Sequence, residues 1–204
     1  SSVTPDAEAY AKVAFDEEKI YLYFEVTDNN YVFYDDPATY WMGDSIQICL
    51  GNKKKTFGTE IGFIHNTSTG TGRVFSPALS ESELSRINIK TSRNENKTCY
   101  EVSIPWEIEY GTKQEDFLFN FLYNDNDGNG RAYCVQLAKG ISEGKYNSQF
   151  PVFKLMEEPG IISWAKGAAV SEVEVGTGYA ADLFIVNYSD KEGAAEINVT
   201  TTGM

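Results

Sequence analysis

Alternation of apolar and polar positions with a period of two runs through the first three quarters of the chain. In "KIYLYFEV", Ile20, Leu22, Phe24 and Val26 share one face, and Tyr21, Tyr23 and Glu25 share the other. "AKVAF" precedes this strand, and "DEEK" between the two closes a hairpin. The pattern returns in "SIQICL", with Ile46, Ile48 and Leu50 opposite Ser45, Gln47 and Cys49. "TEIGFI" and "GRVFS" flank the turn-rich "HNTSTGTG", and "INIKTSRNENKTCYEVSI" divides into two strands around "SRNENK". "FLFNFLYN" and "RAYCVQL" flank "DNDGNG", a run with strong turn chemistry, and "FPVFKL" completes the set. Helical signals reduce to one turn in "SESEL" and a short turn in "PWEIEYG" after Pro105.

Roughly nine or ten evenly spaced strands with turn signals between them predict an all-β fold. The expected architecture is a two-sheet antiparallel β-sandwich, jelly-roll-like, over residues 1–158. After "EEPG" the composition shifts toward Ala, Val and Gly, and "SEVEV", "ADLFIVNY" and "AAEINVT" predict three further strands within residues 159–204. Three strands are marginal alone. The C-terminal part is therefore expected to be a β extension docked on the sandwich, with the start of a further module as the alternative.

Composition narrows the function classes. The 204 residues are 42% hydrophobic and 14% aromatic, which excludes a disordered chain. The formal net charge of -13 repels nucleic acid and anionic membranes at long range, while favouring divalent cations. No run approaches about 18 consecutive apolar residues, so no membrane insertion is expected. Three cysteines, Cys49, Cys99 and Cys134, are too few for a disulfide framework, and one His argues against a Ser-His-Asp or Cys-His centre. No dinucleotide, phosphate-loop or zinc motif is present, and no carboxylate pair is marked as catalytic, so an enzyme is not expected.

The strand mouth "YWMGDSIQICL" (40–50) is unusual, because Tyr40, Trp41 and Met42 stand where a turn normally carries small polar residues. They cannot all point inward. An outward Trp41 offers a flat face on which the C–H patch of a pyranose can stack, removing apolar surface from water.

Several stretches, taken in order, resemble the family 9 carbohydrate-binding modules, sugar-binding β-sandwiches of bacterial glycoside hydrolases. They are "AKVAFDEEKIYLYFEVTDNN", "YWMGDSIQICL", "YEVSIPW", "FNFLYNDNDGNGR" and "YNSQFPVFKL", spanning residues 7 to 155. The resemblance implies that Trp41 is one wall of an aromatic clamp around a sugar and that Gln47, at the family's Glu position, is a polar contact. The second clamp Trp has no counterpart; Tyr146 and Phe150 are the nearest aromatics, and Tyr40 is another candidate wall. The family's ligand-binding Arg is missing from "TEIGFI", and its Gln falls on Leu122.

"DNDGNG" alternates acidic residues with Gly, a spacing that lets oxygens converge on a hard cation, and "VTDNN" is a similar acidic turn. Asp125, Asp127 and Asp28 are therefore candidate ligands, and the resemblance implies structural calcium. The function expected is non-catalytic binding of a polysaccharide or oligosaccharide by aromatic stacking. Such a module is expected to serve a larger multidomain protein, secreted or on the cell surface, and to target an attached enzyme. The alternative is a structural or adhesion domain on the same scaffold with the sugar site lost.

Overall fold

The computed structural model describes residues 7–154, together with two strands over residues 161–166 and 182–187. The chain divides into two compact units, residues 1–154 and 155–204.

The first unit is a sandwich of two antiparallel sheets. Sheet 1 has the order β1 (Glu8–Phe15), β2 (Lys19–Thr27), β7 (Lys97–Pro105) and β6 (Asn88–Asn94). Sheet 2 runs β10 (Val152–Lys154), β8 (Asp116–Asp125), β3 (Ser45–Gly51), β4 (Thr59–Asn66) and β5 (Thr71–Phe75), and β9 (Tyr133–Gln136) also pairs with β8. The expected hairpin around "DEEK" forms with Val13 opposite Leu22 and Phe15 opposite Ile20. "SESEL" makes the single turn α1 (Glu81–Leu84), closed by a capping box between Ser80 and Glu83. "PWEIEYG" gives a short 3₁₀ turn over Trp106–Ile108.

Ile20, Leu22, Phe24 and Val26 all point into the core, as their alternation requires. Phe24 of sheet 1 meets Phe121 of sheet 2 with ring centroids 5.3 Å apart. All three cysteines are free, and among the described residues no helix is long and apolar enough to cross a membrane.

Sheet 2 departs from simple alternation. Every residue of β3 and β4 is buried, and so is all of β8 beyond Asp116. Its outer face is covered as well as its inner one. On one side Tyr40 packs with Ile64 and Phe75. On the other, Ile141 and Phe150 cover Cys49, Leu118 and Leu122. Asn120 pins that covering segment by donating to the carbonyls of Ala138 (2.9 Å) and Lys139 (3.1 Å).

In the second unit, β11 (Ile161–Lys166) and β12 (Asp182–Asn187) pair antiparallel, Ile161 with Asn187. β12 falls within "ADLFIVNY"; the other two predicted strands, "SEVEV" and "AAEINVT", lie outside the described residues. β11 was not anticipated from the pattern.

Tyr40 can cover sheet 2 only because Gly62 lies beneath it. A Cβ at residue 62 would stand 2.0 Å from Tyr40 Cε2. Gly62→Ala is therefore expected to destabilise the domain by about 3 kcal/mol through overpacking, a fall in melting temperature of roughly 6–12 °C. Thermal denaturation followed by circular dichroism measures this, and an unchanged melting temperature would contradict the placement of Tyr40.

Candidate functional site

The crossover from β2 to β3, residues 28–44, ends in a 3₁₀ turn over Tyr40–Met42. At three residues per turn, neighbouring side chains point about 120° apart, so Tyr40 and Trp41 cannot share a direction. Tyr40 turns inward and is 2% exposed, its ring stacked on Phe75 at 5.2 Å. Trp41 turns outward and is 38% exposed. Its indole N–H donates to the Ala38 carbonyl (3.0 Å), and the Arg131 guanidinium lies 5.1 Å from its ring centroid. Tyr40 is thus a core residue, and its expected role as a ligand wall is corrected.

Beside Trp41, polar side chains cross three strands of sheet 2. The Tyr40 hydroxyl donates to Glu60 Oε1 (2.6 Å), as does Gln47 Nε2 (2.5 Å). Gln47 Oε1 accepts from Asn124 Nδ2 (2.9 Å), and Asn124 Oδ1 accepts from Arg131 Nη1 (3.1 Å). At the other end Lys145 Nζ pairs with Glu60 Oε2 (3.0 Å). Register explains the diagonal: Gln47 stands between Gly62 and Leu122, while Glu60 faces Cys49 and Asn124 faces Ser45. Burial, the Glu60 charge and its hydrogen bond hold the Tyr40 hydroxyl far above the usual phenol range, so it stays a donor. Gln47 is placed as expected beside the Trp41 turn, but its amide is already held by Glu60 and Asn124.

The far rim comes from the covering segment. Gly144 and Lys145 both take positive φ, +116° and +64°. That turn carries Lys145 to Glu60 and leaves Tyr146 43% exposed. Tyr146 forms an isolated bridge with Phe57, their rings 5.1 Å apart, and Phe57 is 54% exposed. Phe150 does not join them. It is buried against Cys49, Leu118, Leu122 and Ile141, so its expected ligand contact is also corrected. Leu122 lies in the same apolar cluster.

A second cluster lies at the end of the sandwich. Asp28, Asp44 and Asp125 are fully buried, and each offers a carboxylate oxygen within 4.8 Å of the others. Asp127 is exposed on the turn and lies outside this group, which corrects its assignment as a ligand. Asp44 accepts from the backbone amides of Val32 and Asn126. The Tyr123 hydroxyl lies 2.6 Å from Asp28 Oδ2 and 2.8 Å from Asp44 Oδ1, and its one proton serves only one of them at a time. Burial, reinforced by the Asp28 charge against the opposing Val32 hydrogen bond, pushes the Asp44 carboxyl up to about 8. A hard divalent cation fits this all-oxygen donor set.

The pattern of the chain did not single out Glu60, Asn124, Arg131, Lys145, Phe57 or Asp44. The available signal was charge within strand patterns: Glu60 in "TEIGFI" and Asp44 immediately before "SIQICL".

No curated protein matches the sequence. The fold is similar to a family 9 carbohydrate-binding module from Caldicellulosiruptor kristjanssonii solved with cellotriose, at 18% identity and a TM-score of 0.62, covering 75% of this chain and 77% of that one. A second structure from that organism, a family 9 module solved with glucose, superposes with the same TM-score of 0.62 at 19% identity, covering 76% of this chain and 80% of that one. The profile of the carbohydrate family 9 binding domain-like family matches residues 1–158, which include the whole polar diagonal, both aromatic rims and the three buried carboxylates, and the chain belongs to that family.

Proposed function

We propose that this domain binds an oligosaccharide or polysaccharide without turning it over, at the outer face of sheet 2. The observation that carries the reading is the pairing of outward aromatic rings, Trp41 on one rim and Tyr146 with Phe57 on the other, with a polar diagonal between them. A sugar ring presents C–H groups to an aromatic face and hydroxyls to its edge, and the site offers a partner for each. The family 9 modules bound to cellotriose and glucose support the same reading. A small open site of this kind gives weak binding, on the order of micromolar to millimolar. Its use lies in tethering, so the domain serves as one part of a larger bacterial protein outside the cell, holding an attached enzyme or surface on its substrate.

Calcium is the proposed occupant of the Asp28, Asp44 and Asp125 cluster. Bound there, the cation would offset three buried charges and hold together the ends of the β2–β3 crossover and of β8. Asn126 extends the link, donating from Nδ2 to the Met42 carbonyl (2.9 Å) next to Trp41.

Two measurements check this reading. Covering about 60 Å² of apolar sugar surface is worth about 1.5 kcal/mol, so Trp41→Ala should weaken glycan binding about tenfold or more with the circular dichroism spectrum unchanged. Affinity electrophoresis across soluble polysaccharides reads this. Equal binding by the variant, or no binding by the parent protein to any glycan, would favour a structural or adhesion role.

The second measurement concerns the cation. With a chelator present, Asp44 favours its protonated form in the folded state, because its folded value of about 8 lies above the unfolded one. Its contribution to stability is present at low pH and is lost as pH rises through about 8. The melting temperature of the chelated protein should therefore rise from pH 8 toward about pH 5. Calcium at about a hundred times its dissociation constant should add about 2.7 kcal/mol at neutral pH and reverse that slope. Melting curves insensitive to both calcium and chelator would remove the metal.

A further inference from the structure

Accepting the sugar site of the preceding section, we propose that its preferred ligand is an acidic glycan, one carrying a uronate carboxylate, rather than a neutral one. The argument is an account of donors and acceptors. Each side-chain oxygen of Glu60, Gln47 and Asn124 already receives a donor: Glu60 Oε1 from Tyr40 and Gln47, Glu60 Oε2 from Lys145, Gln47 Oε1 from Asn124, and Asn124 Oδ1 from Arg131. Gln136 Oε1, in register with Leu122, lacks a donor but is buried out of a ligand's reach. The Gln47 amide nitrogen is given to Glu60, and Asn124 Nδ2 also reaches Ser45 Oγ at 3.0 Å. Leu122, at the centre of the same face, offers no polar atom.

The spare donors sit on the two cations at the ends of the diagonal. Arg131 carries five N–H donors in a fork; its contacts among the described residues are Asn124 Oδ1 and the Trp41 ring. Its side chain is exposed. Lys145 carries three donors and meets Glu60. Two carboxylates, Glu60 on the floor and Glu143 beside Gln136, stand against these two cations, and Glu60 is already paired with Lys145. Glu143, in the covering segment, accepts from the Gly140 amide (2.6 Å). The exposed Arg131 guanidinium is thus a donor-rich cationic point on a protein of formal net charge -13. A guanidinium held 5.1 Å from the centroid of the same indole that would stack the sugar can meet a carboxylate at the sugar's edge in a two-pronged contact, a geometry that a neutral hydroxymethyl group cannot use.

The test is isothermal titration calorimetry on the full chain with matched ligands: neutral trisaccharides in gluco, galacto and manno configuration, and the same compounds oxidised to carboxylates at C6. The parent protein should bind at least one oxidised ligand about tenfold more tightly than its neutral match at low salt, with the preference shrinking as salt is raised. Arg131→Gln should bring that ratio to within about twofold, and Arg131→Lys, which keeps the charge but not the two-pronged contact, should keep only part of it; Lys145→Gln should reduce it in a variant that leaves the Trp41 face intact. Equal or tighter binding of the neutral members would overturn the acidic preference while leaving the sugar site standing. A ratio unmoved by Arg131→Gln and Lys145→Gln would overturn it too. If no ligand of either kind binds, the sugar site itself falls.

Discussion

Sheet 2 is covered on both faces, and that constraint shapes everything near the candidate site. A half-solvated antiparallel sheet leaves its outward polar residues to water. Here the outward residues of β3, β4 and β8 lie beneath Tyr40, Ile141 and Phe150, so each polar group must find a protein partner. Gln47, Glu60 and Asn124 do this for one another, and Tyr40, Arg131 and Lys145 complete the chain at its ends. Removing one member would strand a buried amide or carboxylate, which costs more than the lost bond is worth. The network is therefore rigid by necessity, and that rigidity suits a binding floor.

The same cover supplies the rims. A 3₁₀ turn that drives Tyr40 into the sheet must throw Trp41 outward, and a positive-φ turn that brings Lys145 to Glu60 leaves Tyr146 at the surface. Exposed aromatics beside a closed polar floor are thus by-products of closing it. The crossover that bears Trp41 is held at its base by Asp44, which takes the amides of Val32 and Asn126. The three buried carboxylates and the aromatic rim are mechanically one unit, because Asp44 and Trp41 share a turn and Asn126 ties that turn to β8.

Much of the sandwich was legible because inward residues such as Ile20 and Phe24 follow strict alternation, and turn chemistry marks the gaps between strands. Trp41 was legible too, since three large residues at a strand mouth cannot all be buried. Which of Tyr40 and Trp41 points in depends on Gly62, distant in sequence, whose missing Cβ makes room for a ring. Phe150 looked like a second wall for want of any clue that Gly51 and Gly58 leave space for its ring; each would set a Cβ about 3 Å from it or closer. Asp127 and Asp125 sit two apart in a strongly acidic turn, but only Asp125 belongs to the strand and so meets Asp28 and Asp44. The polar diagonal was hidden for a simpler reason: it depends on the register of three strands, which no local pattern reports.

The central claim is that ligand meets the outer face of sheet 2 between Trp41 and Tyr146. A heteronuclear NMR titration of isotope-labelled protein with a bound oligosaccharide tests it most directly, because it reports position as well as affinity. The account predicts that the Trp41 indole N–H, the Gln47 and Asn124 side-chain amides, and the backbone around Arg131 and Tyr146 shift together, while Tyr21 and Tyr23 on the outer face of sheet 1 stay still. Shifts gathered around Tyr21 and Tyr23, with the Trp41 indole silent, would contradict it.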